Sequence, residues 1–269
     1  MKKTKKIGLA LGSGGIRGLA HVGVIKTLLK HNVPIDYISG CSIGAWVGAH
    51  YALFQDIERL EEMTVHKQKE KLLSTIEPTL KGGIVKGSKI EKLLDEWFEG
   101  LSFSDTNIPL SIATTDLVSG KEIILTQGKL STAVRASMAI PSVFAPVKHE
   151  EMLLVDGGIS NPVPDETVRQ MGADIVISVS LDNFIKNAEF NTKKLSLSRT
   201  GTRAFNIMRY QLTKHSTQQT DILLEPYTPA IGATSLSQYF TKKIGSELVK
   251  NGEEETEKHI EQIKDLLAN

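Results

Sequence analysis

An intramolecular disulfide framework is closed to this chain. Cys41 is the single cysteine among 269 residues, and one thiol has no partner, so a reducing compartment is the default. Long apolar runs are also missing: no stretch reaches the length needed to span a bilayer, so any membrane contact is peripheral. Neither an internal repeat nor a low-complexity tract is present. Charge of one sign is not in excess, since 32 Lys and Arg stand against 31 Asp and Glu, and a formal charge of +1 argues against general nucleic-acid affinity. Lys2, Lys3, Lys5 and Lys6 open the chain like a signal peptide, yet the apolar run behind them ends at Leu11, too short for a signal h-region. The expected location is the cytoplasm, with peripheral contact at a membrane left open. What is abundant is ordinary: 40% hydrophobic residues can bury a sizeable core in one globular domain spanning 1–269.

Short β-like runs alternate with helical patterns. Strands are expected near 6–11, 35–39, 110–115, 174–179 and 221–225, with helices between most of them, which indicates an α/β class with a mainly parallel sheet. Further strands near 121–125 and 152–155 flank a helix around 130–137 and make the sheet mixed. Residues 55–105 hold no convincing strand and read as a helical insertion, including a helix that a capping box from Ser88 to Glu91 opens and that continues to Phe98. C-terminal helices are expected around 237–267.

The pentapeptide Gly40-Cys41-Ser42-Ile43-Gly44 lies between the apolar runs Pro34 to Ile38 and Ala45 to Phe54. A strand, a sharp turn and a helix at this spacing form a nucleophile elbow. Serine is a weak nucleophile at its free pKa, so the chain has to project it toward a base and aim N–H donors at the oxygen of the attacked carbonyl. Gly40 and Gly44 let strand and helix approach closely. The alternative is a glycine-bordered helix start with Ser42 only capping.

A second glycine cluster, Gly12-Ser13-Gly14-Gly15-Ile16-Arg17-Gly18, follows the first strand. Read as a dinucleotide fingerprint it fails in both registers, at Arg17 in one and at Ser13 in the other. The acid expected at the end of the second strand is absent as well, since Asp36 sits at that strand's start. The loop still places unencumbered N–H groups at a helix start, which makes an anion site, and an oxyanion hole is one such site.

A serine nucleophile needs a base. None of the seven histidines, His21, His31, His50, His66, His149, His215 and His259, has a convincing context. The stronger candidate is Asp156, which leaves the apolar strand Leu153 to Val155 and precedes Gly157-Gly158. An Asp-Gly hairpin turn is its bland alternative. Asp116, ending the strand 112–115, is the rival carboxylate, and a turn role suits it equally well.

Four blocks now stand in one order: the glycine loop ending Arg17-Gly18, the elbow at Ser42, Ala136-Ser137-Met138-Ala139-Ile140-Pro141, and Asp156-Gly157-Gly158. By them the chain resembles the bacterial patatin-like phospholipases up to about residue 225. The resemblance implies a three-layer α/β/α fold and a Ser42–Asp156 dyad without histidine. It also implies an oxyanion hole at Gly14 and Gly15, with Ile16 and Arg17 in the same loop, and neither cofactor nor metal. Ser13 departs from the pattern, standing where many members have another glycine. The implied substrate is a phospholipid, lysophospholipid or other acyl ester. An acyltransferase or thioesterase using Ser42, or a silent lipid-binding module, are the rivals. A dyad needs a basic carboxylate, and partial burial would raise Asp156 from the ordinary value of about 3.9.

Residues 193–215 contain Lys193, Lys194, Arg199, Arg203, Arg209 and Lys214 and no acid. Phe205, Met208 and Leu212 share a helical face there, which suits an amphipathic helix on anionic lipid. The favoured expectation is the ordinary one, an apolar stripe packed into the core. The sequence leaves the oligomeric state unknown.

Overall fold

Alternation along one strand sets the layers. In the computed structural model, which describes residues 5–66, 77, 79, 82–183, 195–228 and 242–269, β1 (Ile7–Leu11) is wholly buried. Ile7, Leu9 and Leu11 point into the main core, while Ala10 points into a second cluster with Val163, Val168, Ala173 and Val176, as the two-residue period of a strand requires. A sheet buried on both faces needs helices on both.

After β1 a 3-10 turn, Gly15–Leu19, leads into α1 (Ala20–Lys30). Then come β2 (Tyr37–Cys41), α2 (Ile43–Phe54), α3 (Ile57–Glu61), β3 (Gly83–Val85), α4 (Ser88–Trp97), β4 (Leu110–Asp116), β5 (Glu122–Leu125) and α5 (Leu130–Ser137). The remainder is β6 (Ser142–Phe144), β7 (Val147–His149), β8 (Met152–Asp156), α6 (Asp165–Gln170), β9 (Ile175–Val179), α7 (Leu197–His215), β10 (Ile222–Leu224) and α8 (Lys242–Ala268). Residues 237–241 lie outside the described residues. Helix α6 packs on β1, β2 and β9, and α1, α2 and α8 lie on the main-core side. The result is a central sheet between helices.

The sheet runs β10-β9-β1-β2-β4-β8-β7, with β5 also on β4. The first five strands are parallel, whereas β5, β7 and β8 join by antiparallel pairing. One consequence positions the site. Register places Cys41 beside Ala113 and Asp156 beside Thr114. Because β5 occupies the opposite edge of β4, β2 and β8 share one edge and meet there with their C-terminal ends face to face.

Three expectations are corrected. Residues 55–105 contain a strand, β3, which pairs with β6 in a separate two-stranded sheet. Three residues are too few for a periodic signal, and their partner is about sixty positions away. Within that range 67–76, 78, 80 and 81 lie outside the described residues. The capping box at Ser88 is not formed: Gly87, at φ 84°, is the N-cap, and the Ser88 hydroxyl and Lys89 N–H both donate to the Glu77 carboxylate. An acid from outside the helix takes one orphan amide of its first turn and the Ser88 hydroxyl. The third correction concerns α7. Phe205 and Met208 are exposed, Met208 by 70%, so the apolar stripe is not in the core; Lys193 and Lys194 lie outside the described residues. No described helix is long and apolar enough to cross a membrane.

Helices α1 and α8 cross at glycines. A Cβ on Gly23 would collide with the Val249 carbonyl, and one on Gly252 with the Ala20 carbonyl. Backbone cannot yield as a side-chain tip can. Gly23→Ala is expected to lower stability by about 1–3 kcal/mol, read as a falling urea midpoint at unchanged m-value; an unchanged midpoint would mean the crossing is looser than this geometry.

Candidate active site

Ser42 sits between β2 and α2 at φ 55°, ψ −119°, a conformation that a non-glycine residue holds at about 1–3 kcal/mol. Its surroundings enforce it. The Ser42 N–H donates to Ser137 Oγ at 2.7 Å, and that hydroxyl donates to Ala113 O at 2.7 Å. The Ser42 carbonyl accepts from Ala45 and Trp46 and starts α2. Gly44 packs against the Leu11 carbonyl and Gly18 against Ile43, where side chains would clash; Gly40 lies under Ala45. The Ser42 side chain caps no helix amide. Instead its Oγ donates to Asp156 Oδ2 at 2.7 Å.

Asp156 ends β8 and is 7% exposed. Its N–H donates to Ala139 O at 3.0 Å, so the Ala136–Pro141 block braces both halves of the pair, Ser137 the serine backbone and Ala139 the aspartate backbone. Oδ1 accepts from the Gly158 N–H at 2.8 Å, and the buried Cys41 Sγ lies 4.0 Å from it. A 3-10 turn, Gly157–Ile159, follows rather than a hairpin. Burial raises the carboxyl above its ordinary value, against the hydrogen bonds from Ser42 and Gly158 and the positive charge of Arg209. Asp116 is its opposite. Its carboxylate takes the Ser119 hydroxyl and the amides of Ser119, Leu153 and Val118, chiefly the Ser119 hydroxyl holding it below the usual range. That is a turn lock between β4 and β5, with no lone pair aimed at Ser42 in any described contact.

The glycine loop is held by its carbonyls. His21 Nε2 donates to Gly12 O at 2.7 Å, Arg209 Nη2 to Ser13 O at 3.1 Å, and Arg17 Nε to Gly14 O at 3.0 Å. In a planar trans peptide the C=O and the next N–H point in opposite directions. Fixing the Ser13 and Gly14 carbonyls therefore aims the Gly14 and Gly15 amides away from the arginines. The amides of Gly12 and Ser13 are taken by Val179 O and Pro162 O. Those of Gly14, Gly15 and Ile16, at the start of the 3-10 turn, have no intrahelical acceptor. Arg17 serves the loop through its side chain, 2% exposed and 3.8 Å from Asp182.

Asp182, Arg209 and Thr213 were not singled out from the sequence as a group. Arg209 Nε reaches both carboxylate oxygens of Asp182 at 3.1 and 3.2 Å, and Thr213 Oγ1 donates to Oδ2 at 2.7 Å. Asp182 is 1% exposed. The available signal was its place just beyond β9, at the carboxyl end of a parallel strand, where α/β sites gather.

No described histidine hydrogen-bonds to Ser42 or Asp156; the side chain of His66 is outside the described residues. His31 pairs with Glu257, and His259 Nδ1 bonds the Glu255 carbonyl within its own helix. His21 and His50 are buried, and burial pushes each down to about 4. Both are neutral at pH 7. An unfolded histidine protonates near 6.5, so the stability that these neutral rings contribute is complete above that value and is lost as pH falls toward 4. Unfolding in urea is expected to show on the order of 2–3 kcal/mol lost per histidine by about pH 4.5, with His50→Leu removing one share. A pH-independent midpoint over that range would contradict it.

Comparison with known proteins adds the following. A family model described as patatin-like phospholipase matches residues 9–168. A Mycobacterium tuberculosis protein described as an uncharacterized NTE family protein is 35% identical over 178 residues, covering 66% of this chain and 49% of the other. Human patatin-like phospholipase domain-containing protein 6 is 32% identical over 182 residues, 65% of this chain and 13% of that one. The chain thus spans about half the length of the mycobacterial relative. Among solved structures, VipD from Legionella pneumophila superposes with a TM-score of 0.57 at 13% identity, covering 99% of this chain and 67% of that one. Human GIVD cytosolic phospholipase A2, solved with methyl gamma-linolenyl fluorophosphonate, gives 0.52 at 11% identity, 98% and 59%. At such identities the likeness is one of fold.

Proposed function

The chain belongs to the patatin-like phospholipase family, and on that premise we propose that it hydrolyses carboxylic esters of lipids with Ser42 as nucleophile and Asp156 as its only base. The observation that carries this reading is the 2.7 Å hydrogen bond from Ser42 Oγ to a buried carboxylate, with no described imidazole bonded to either group. Burial supplies what a bare aspartate lacks. An ordinary carboxylate is too weakly basic to accept a hydroxyl proton at neutral pH, and desolvation strengthens it.

As Ser42 Oγ bonds to the ester carbonyl carbon, its proton passes to Asp156 Oδ2 and the carbonyl becomes an oxyanion. The Gly14 and Gly15 amides, aimed by their clamped carbonyls, are the proposed donors to that oxygen, with the positive end of α2 beside them. Collapse breaks the bond to the alcohol, which takes the proton from Asp156. Water then repeats the sequence: Asp156 accepts its proton, hydroxide adds to the acyl carbon, and Ser42 leaves reprotonated with release of the fatty acid. Strain at Ser42 keeps its hydroxyl on the apex of the turn rather than in a helix cap.

A fluorophosphonate probe followed by peptide mapping tests the reading. Labelling is expected on Ser42 alone, to vanish in Ser42→Ala, and to accompany hydrolysis of a short-chain ester and of members of a phospholipid panel. A label on another residue, or none on a protein that still turns over ester, would overturn it.

A further inference from the structure

The Ser13 side chain is the part of the glycine loop that the proposed chemistry leaves unused. Its backbone is fully engaged, the N–H on Pro162 O and the carbonyl under Arg209. The residue is 2% exposed, yet its hydroxyl has no hydrogen-bond partner among the described residues. Stranding a buried hydroxyl costs free energy, and a glycine at this position would escape that cost. Its location gives the hydroxyl a use. A Cβ built on Gly158 would stand 2.7 Å from Ser13 Oγ and 3.1 Å from Asp156 Oδ1, so the serine oxygen and the carboxylate oxygen that Ser42 does not use crowd the same bare glycine. The Cys41 thiol borders that space, 4.0 Å from Oδ1 and beside the Ser13 hydroxyl.

Oδ1 has room for another donor. It accepts one short bond, from the Gly158 N–H at 2.8 Å, and one long contact from a thiol, which is a weak donor. A buried carboxylate gains from each further donor while it is ionised and much less once it is protonated, and a serine hydroxyl can turn between staggered positions. We propose that Ser13 is a positioning residue for the dyad, its hydroxyl turning onto Asp156 Oδ1 while the carboxylate is ionised and back toward Cys41 Sγ when Oδ2 takes the Ser42 proton. The proposal rests on the dyad reading and deepens it. Gripped at Oδ1, the carboxylate keeps Oδ2 toward Ser42, and the added donor holds it ionised against a burial that favours the neutral form. Few other groups act on it. Arg209 of α7, paired with Asp182, draws the carboxyl down. Burial pushes the Cys41 thiol of β2 well up, so it stays protonated, and Glu122 of β5 acts on that thiol. Asp116 of β4 is committed to Ser119, and His21, on the Gly12 carbonyl, is neutral above about 4.

The rate at which a soluble fluorophosphonate labels Ser42, followed against pH with the label mapped to its residue, tests this. In the parent the rate should fall on the acid side as Asp156 takes a proton. Ser13→Ala and Ser13→Gly are each expected to move that acid limb up by about half to one pH unit, which is labelling about three- to tenfold slower below the limb, a deficit that closes as pH rises. Ser13→Thr keeps a hydroxyl and should return the limb to the position of the parent. A packing defect would instead slow labelling equally at every pH and leave the limb in place. An unmoved limb in both deletions, a loss equal at every pH, or a folded Ser13→Thr whose limb matches that of Ser13→Ala would overturn the role of Ser13. Label on Ser42 with an unmoved limb sinks that role alone, whereas label on another residue sinks the dyad reading beneath it.

Discussion

Asp156→Asn is expected to stop turnover and leave the protein at least as stable at neutral pH. The amide keeps an oxygen for the Gly158 N–H and nearly the same volume, but it accepts no proton from Ser42. Loss of the general base should lower kcat by at least about a thousandfold. Stability moves the other way. The folded-state pKa of Asp156 is raised by burial, so its contribution to stability is complete below the unfolded value of about 3.9 and is lost as pH rises through the folded one. At pH 7 the fold carries a charge that it disfavours, and asparagine removes that charge. The same shift sets the acid limb of the rate: the proposed mechanism needs the ionised carboxylate, so as pH is lowered kcat should fall already above the ordinary carboxylate range. Combining Asp156→Asn with Ser42→Ala should cost little more than Ser42→Ala alone, because in the proposed mechanism the two residues act as one unit. A histidine replacement that matches the Ser42→Ala loss while the protein stays folded would end the dyad.

Much of the frame was legible because it is periodic. The strands at β1, β8 and β9 are mostly apolar runs bounded by turn residues, and α5 occupies Leu130–Ser137 where a helix around 130–137 is expected. The glycine clusters were legible for a different reason: a residue without Cβ marks a place where two chain segments nearly touch, as at Gly44 on the Leu11 carbonyl. What local pattern does not encode is partnership across the chain. Ser137 acts 95 positions from Ser42, and the Glu77 carboxylate that receives the start of α4 competes with a locally plausible Glu91. Helix α7 was misread on the same ground. Its spacing marks a stripe correctly, but only the position of Asp182 decides that the polar side is the one turned inward.

Asp182→Ala is expected to be among the most destabilising single changes, at about 3–5 kcal/mol, because it removes the buried carboxylate that both Arg209 and Thr213 bind. Such a loss alone would speak only of folding. Arg209→Lys separates the two roles. A lysine keeps the charge opposite Asp182, and that carboxylate retains Thr213 and its neighbour Arg17, so stability should drop by only about 1 kcal/mol. A compact ammonium lacks the fork that spans both carboxylate oxygens and Ser13 O together. With the Ser13 carbonyl released, the Gly14 amide loses its fixed direction, and a donor that must find the oxyanion at the moment of reaction is worth less than one already in place. The expected signature is a kcat on a soluble ester reduced about tenfold to a hundredfold, with KM nearly unchanged because the ground-state ester bears no charge for that amide to meet. Wild-type kcat in Arg209→Lys would show that the loop holds its shape without this clamp.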